Sequence, residues 1–362
     1  MKKLYFLSLL CILIVNVQAK VITVDNNEGA GADFSTLSEA IGSASNGDSI
    51  YVQASSKDYG NVTLAKKIFL IGPGHYPEST GSIPASLLVI TLQNGSSGSL
   101  ITGFQAQRIE CSVWNTVEDI IIENNYFSVS WYMISGPFGD SADGDNWIIR
   151  GNIFVEPAGC GGCSIIDVNQ SQFGNENWNI ANNIIISKPE STSTNIFERL
   201  NASTMVINNT IIHRNNEPIF KTGNNAMLKN NIIVSLSSTL TDITANCTSC
   251  TWENNLTYSP NATLGTLSGT GNINNTDPAF VDVPASYNWT YDGDFNVKET
   301  SAAHNAGTDS KDLGAFGANY NFSKFGYPFD VPVIEEFRIE NQLLNQGDKL
   351  RFSIKARGAR SN

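Results

Sequence analysis

Short stretches of this chain alternate apolar and polar residues with the period of a β-strand, and the stretches themselves recur. Six carry the same phrase. The first is Ile120 to Phe127, and the others surround Asn152, Asn183, Asn209, Asn231 and Asn255. With Asn125 as the first anchor, successive anchors lie 27, 31, 26, 22 and 24 residues apart. Repetition at that period with strand-like composition predicts a solenoid. Three residues before each anchor stand Ile122, Ile149, Ile180, Val206, Leu228 and Trp252, and two residues after it stand Phe127, Phe154, Ile185, Ile211, Ile233 and Thr257. Both columns are predicted to point inward. Two residues before the anchor stand Glu123, Arg150, Ala181, Ile207, Lys229 and Glu253, a mixed column predicted to point outward. Alternation on both sides of a bend means strand, turn, strand. The anchor asparagine is placed at the bend, where its tolerance of left-handed backbone angles is useful. Stacked at one position in every coil, the anchors can hydrogen-bond as a ladder.

A second register lies across each coil. Ser164–Asp167, Asn195–Glu198, Pro218–Lys221 and Leu240–Asp242 look like copies of one more strand, each followed by an asparagine: Asn169, Asn201, Asn224 and Asn246. Two bends and two or three short strands per coil predict an all-β fold, a single-stranded right-handed parallel β-helix. Phe34 to Ile41 is expected to form a short amphipathic helix over the first coil, with Ser35 as N-cap and Glu39 in its first turn. Val333–Glu340 and Lys349–Ala356 alternate around Asn345-Gln346-Gly347-Asp348 and predict a hairpin. The expected organisation is a leader over 1–19, the β-helix over 20–329, and over 330–362 a hairpin that covers the last coil or begins an appended module.

The leader rests on a basic Met1-Lys2-Lys3, the apolar run Leu4–Val15 and the small-x-small site Val17-Gln18-Ala19. The run is too short to span a bilayer and no later run reaches its length, so no transmembrane segment is expected. A lipid anchor on Cys11 competes, but Ser8, Leu9 and Leu10 put no small residue beside it. The chain is expected to be secreted and monomeric. Five cysteines then remain. Export favours disulfides, Cys160 with Cys163 and Cys247 with Cys250, and leaves Cys111 over. A four-thiolate zinc site is disfavoured, because three coils separate the pairs by roughly 14 Å.

Composition adds two constraints. There are 42 asparagines among 362 residues, many in Asn-Asn pairs, an excess that any fold reading has to explain. The 22 Lys+Arg against 34 Asp+Glu give a net charge of −12, and removing Lys2 and Lys3 leaves 20 against 34, or −14. Such a surface repels phosphate backbones, so no nucleic-acid partner is expected.

The chain resembles the pectate-lyase-like superfamily of secreted right-handed β-helix proteins, in particular members exported by gut Bacteroidetes. Phe34 to Ile41 with Asn46-Gly47-Asp48-Ser49-Ile50-Tyr51-Val52 is similar to its opening motif, and Lys67 to Gly74 follows in the usual order. Asp294 to Val297, Ser301 to Gly307 and Asp312 to Gly317 look like its closing motif. The resemblance covers about residue 20 to about 320 and implies a pectin-lyase-like solenoid. It leaves function open, because these folds include lyases, hydrolases, esterases, epimerases and non-enzymatic adhesins.

The candidate chemistry is sparse. The adjacent Asp-Asp and the His-Gly of polygalacturonase-like hydrolases are absent. A polysaccharide lyase needs a base and a cation beside a uronate carboxyl. Asp167, Glu198, Lys221 and Asp242 occupy the outward end of one strand in successive coils, where neighbours lie roughly 4.8 Å apart. Arg199 follows immediately, and His213 with Arg214 lies one bend away. Lys221, Arg199 and Glu198 are thus catalytic candidates. Asp167, Glu198 and Asp242 are candidate Ca2+ ligands through oxygen, and Asp167, Asp242 and Arg214 candidate substrate contacts. The plainer reading is a ladder of salt bridges on an exposed sheet. Gly139 to Asp145 is an acidic loop whose spacing matches no known calcium loop. Trp114, Trp131 and Tyr132 form a candidate sugar platform, whereas Trp147 and Trp178 are expected in the core. With no catalytic motif, the expected function is polysaccharide binding or processing by an exported β-helix. The alternative is a Ca2+-assisted lyase.

Overall fold

The structure, a computed structural model, describes residues 19–358 except 79–80, 130–131, 140, 157–161, 169–174, 188–193, 329–331 and 341–348. The expectations for the leader, Asn169 and the hairpin's turn therefore fall outside the described residues. The remainder winds as a right-handed parallel β-helix. Its first face is a 10-stranded parallel sheet running from Val21–Val24 to Thr251–Glu253. The second sheet has 12 strands and forks at Gln105–Cys111. The front half of that strand pairs with Tyr126–Phe127, and its back half with Ile134–Ser135. From the fork onward each coil has three faces: Ile153–Val155, Ile184–Ile186, Thr210–His213, Ile232–Ser235 and Leu256–Tyr258 continue the second, and Ser164–Asp167 and Asn195–Glu198 the third.

The register matches both inward columns. Ile122, Ile149, Ile180, Val206, Leu228 and Trp252 are successive cross-strand partners, as are Phe127, Phe154, Ile185, Ile211, Ile233 and Thr257. All are buried. Like residues stack on like, with Phe127 on Phe154 at 4.9 Å and Trp147 on Trp178 at 4.6 Å between ring centroids.

The ladder runs through seven asparagines. Each Oδ1 accepts from the backbone N–H of the residue one coil earlier, beginning with Phe104 N to Asn125 Oδ1 at 3.0 Å and ending with Asn255 N to Asn272 Oδ1 at 2.9 Å. From the second rung on, the same oxygen takes the preceding asparagine's Nδ2 at 2.9–3.2 Å. Each Nδ2 also donates to a carbonyl one coil back, such as Asn183 Nδ2 to Ile149 O at 2.8 Å. An amide in an apolar interior is costly unless its bonds are made, and here each one is bonded by its neighbours.

The bend itself belongs to the residue before the anchor. Asn124, Gly151, Asn182, Asn208, Asn230 and Asn254 have φ between 51° and 64°, whereas the anchors do not have positive φ. The sequence reading merged two jobs that the Asn-Asn pair divides. The first residue turns the chain, and the second points its amide inward. The opposite corner follows this pattern only in part: Asn246 takes the left-handed angle itself, at φ 66°, and its Nδ2 donates to Phe220 O at 3.1 Å. Asn224 lies in a short strand pair with Cys247–Thr248, Asn225 takes the left-handed angle beside it, and Asn201 caps a turn through Ser203 and Thr204. The strand copies at 218–221 and 240–242 also fail to extend the third sheet, apart from one bridge between Phe197 and Phe220.

The outer amides of the bend residues hold a returning segment. Residues 301–328 run back along this corner. Asn254 Nδ2 donates to Ala306 O at 2.7 Å, Thr308 N to Asn230 Oδ1 at 3.1 Å, Asn182 Nδ2 to Gly317 O at 3.0 Å, and Tyr320 Oη to Asn124 Oδ1 at 3.1 Å. A second apolar layer packs outside the second face, where Ile184, Ile186, Ile212, Ile232 and Val234 meet Phe280, Phe295, Val297 and Leu313. Those strands are therefore buried on both sides.

A helix, Leu37–Ser43, seats Leu37, Ala40 and Ile41 over the first coil. Its N-cap is Thr36 rather than Ser35, with Thr36 Oγ1 accepting from Glu39 N at 3.4 Å. The Thr36-Leu37-Ser38-Glu39 spacing is a capping box, which accounts for the shift. Leu264 and Leu267 fill the interior at the far end. Strands Val333–Ile339 and Phe352–Arg357 form an antiparallel hairpin whose Ile339, Phe352 and Ile354 are exposed.

Two outcomes test this division of labour. Asn209→Ala leaves Asn183 N and Nδ2 without their shared acceptor and is expected to cost about 3 kcal/mol or more. Asn208→Gly keeps the left-handed angle and should cost within about 1 kcal/mol, both variants being compared with wild type by denaturant titration. Gly151→Asn restores the repeat phrase, yet a Cβ there would sit 1.9 Å from Tyr320 Oη. It is expected to destabilise by about 1–3 kcal/mol, and Tyr320→Ala in the same chain should recover part of the loss.

Candidate functional site

The third face collects the charged residues. Register places Asp167 opposite Glu198, and the bridge from Phe197 to Phe220 brings Lys221 onto the next rung. Asp167 and Glu198 are almost wholly buried, at 1% and 4% exposure. Arg199 leaves the strand with φ 58° and turns back over the sheet. Its Nε donates to Asp167 Oδ1 at 2.9 Å and its Nη2 to Asp167 Oδ2, while Nη1 lies 3.3 Å from Glu198 Oε1. Lys221 Nζ reaches Glu198 Oε2 at 3.1 Å and Gly162 O at 2.7 Å. Tyr132 Oη and Ser164 Oγ each donate to Glu198 Oε2 at 3.2 Å. Two carboxylates thus form a floor, and a guanidinium, an ammonium and a phenol lie over it.

The electrostatics follow from that layering. Burial pulls the Arg199 pKa down, but Asp167 and then Glu198 outweigh it, and the net shift is upward. Lys221 behaves alike: burial lowers it, Glu198 raises it more, and the net shift is upward. Burial, followed by the charge of Glu198, raises Tyr132. A general base working near neutrality needs a lowered pKa. Both candidate bases are shifted the other way and remain protonated. What this arrangement supplies is a fixed set of N–H donors on Arg199 and Lys221, whose side chains are 39% and 37% exposed. Such donors suit the hydroxyl and carboxylate oxygens of a sugar chain.

The predicted calcium ligands do not fit a cation. The oxygens of Asp167 and Glu198 already accept from Arg199, Lys221, Tyr132 and Ser164. Asp242 is not on this face. It is exposed in a turn, where its Oδ1 accepts from Thr244 N at 2.9 Å and Thr244 Oγ1 at 2.7 Å. Among the described residues no group of three or more His, Cys, Asp or Glu converges to hold a metal.

Arg214 is also separate from the cluster. It follows the strand Thr210–His213 of the second face, and its Nη1 donates to Asn288 Oδ1 at 2.5 Å. His213 beside it is fully buried, and burial pushes its pKa down to about 4. Trp114 is exposed with φ 65°, and its backbone N donates to Phe138 O at 3.0 Å. It and Tyr132 occupy different surroundings, while Trp131 and Asp140 lie outside the described residues. Trp147 and Trp178 are core, each with its Nε1 donating to a carbonyl at 2.7 Å. Cys247 and Cys250 form a disulfide. Cys163 is disulfide-bonded, and Cys160 lies outside the described residues. Cys111 is a buried free thiol that burial pushes up to about 12, too high for a reactive thiolate. Ser164, missed by sequence reasoning, was legible as the polar start of the strand that ends at Asp167.

No protein-family model matches this chain, and no curated protein matches it significantly. The third face first requires that the cluster be a structural unit. Arg199→Ala removes the bidentate partner of buried Asp167, and the cost should be about 1–3 kcal/mol, discounted from a fully buried pair because the guanidinium is partly exposed. A denaturant midpoint within error of wild type would contradict the pairing.

Proposed function

We propose that the protein is an exported β-helix of the pectate-lyase-like kind that binds polysaccharide on its third face without cleaving it. The observation that carries this reading is the layered cluster of Arg199, Lys221 and Tyr132 over Asp167 and Glu198. Its donors are fixed and half exposed, and its cations are held protonated. The floor offsets the two positive charges, so the face is locally near neutral on a chain of net charge −12. That balance favours neutral or sparsely acidic glycans over dense polyanions. Export rests on the basic and apolar leader, and the family assignment on the opening and closing motifs.

A lyase is the second reading, because Arg199 and Lys221 stand one rung apart beside carboxylates. It requires one of them to take the proton next to a uronate carboxyl while the glycosidic oxygen leaves and a double bond forms. Their upward shifts oppose that step.

Incubation with a panel of neutral and uronate polysaccharides, with and without Ca2+, separates the readings. Binding to at least one polymer is expected, with no rise in ultraviolet absorbance from an unsaturated product. The double variant Arg199→Ala/Lys221→Ala should weaken binding at least about tenfold. A product that disappears in Lys221→Ala would establish the lyase. Absence of binding across the panel would remove the glycan reading of this face.

A further inference from the structure

The layer that covers the second face also encloses a cleft. Its volume is about 500 Å³, and it lies between residues 289–296 and the returning segment at 316–324. Ligand clefts commonly span about 300–1,000 Å³. On one wall Trp289 stacks against Phe295 with centroids 5.8 Å apart and planes inclined by 21°. Phe295 is itself buried, so the indole is backed by core rather than by solvent. Tyr291 meets its edge at 5.7 Å. A flat ring fixed from behind is a surface on which the C–H face of a pyranose can lie.

The polar wall has unused bonding capacity. Asp294 Oδ1 accepts from Asn296 N at 2.9 Å and from Asn296 Nδ2 at 2.7 Å, which fixes the carboxylate. Its Oδ2 has no protein donor among the described residues. Lys324 and Asn319 also line the cleft, and their side chains make no ion pair or hydrogen bond among the described residues. One acceptor, one amide and one ammonium therefore surround a backed aromatic ring. The single negative and single positive charge offset each other.

We infer that this cleft is a second binding site, for a short neutral saccharide, held by Trp289 from below and by Asp294, Asn319 and Lys324 around its hydroxyls. The site is built from the C-terminal layer and shares no residue with the third face, so either assignment can fail without the other.

Titration calorimetry with neutral disaccharides (cellobiose, maltose, lactose and xylobiose) and a uronic-acid disaccharide tests it. Wild-type protein should bind at least one neutral disaccharide. Lys324→Ala and Asn319→Ala remove side chains that make no hydrogen bond or ion pair among the described residues, so thermal unfolding should change little while binding falls. Asp294→Asn should weaken binding about tenfold. In the Arg199→Ala/Lys221→Ala background, the cleft variants should still lower whatever disaccharide binding remains. The inference is overturned if no neutral disaccharide binds up to about 10 mM. It is also overturned if the cleft variants bind as wild type does, or if only the uronic-acid disaccharide binds.

Discussion

The whole molecule depends on a side-chain amide being fully hydrogen-bonded inside an apolar core. An isolated buried asparagine would destabilise the fold, because burying an amide without partners costs several kcal/mol. Repeated at one position in every coil, it becomes its neighbour's partner. The oxygen of Asn183 takes two donors from Asn152, and its nitrogen donates to Ile149 O and to Asn209 Oδ1. The arrangement also fixes register. A one-residue slip would reverse every side chain and leave each amide without its pair.

The asparagine pair links interior to exterior. Its second member bonds along the axis, and its first member, held at positive φ, offers an amide outward. Those outward amides receive residues 301–328, and the layer before that segment covers the second face. The coil is consequently asymmetric. The later strands of the second face are covered, the third carries half-exposed cations, and a cleft lies within the covering layer. Functional surface is thus set by which face the chain's own C-terminal part occupies.

Periodicity made the coil legible in the sequence. The two inward columns and the ladder positions could be aligned because one residue type recurs at one interval. Period-2 reasoning could not say which asparagine of a pair bends, since both are compatible with a turn; backbone geometry decides that. The returning segment has no repeat and touches residues as far away as Glu78, whose N–H donates to Tyr327 Oη, so no local pattern announces it. One signal was present. Ile184-Ile185-Ile186 and Ile232-Ile233-Val234 are continuous apolar runs, and a strand with one wet face would alternate. The third-face column was legible as far as Glu198 through strand register, and the single bridge from Phe197 to Phe220 brings Lys221 beside it. It failed at Asp242, where Thr244 supplies a local hydrogen bond and the chain turns instead of pairing. The cleft was invisible because its walls come from segments without periodic character.

The central claim concerns side-chain amides, so side-chain amide exchange tests it most directly. In protein labelled with 15N at asparagine, the carboxamide protons of Asn125, Asn152, Asn183, Asn209, Asn231 and Asn255 should exchange as slowly as the backbone amides of the strands beside them. The exposed carboxamide of Asn319 should exchange at once. If all carboxamide signals vanish together while strand amides stay protected, the coils are held by backbone and apolar contacts alone, and the ladder is not what the fold depends on.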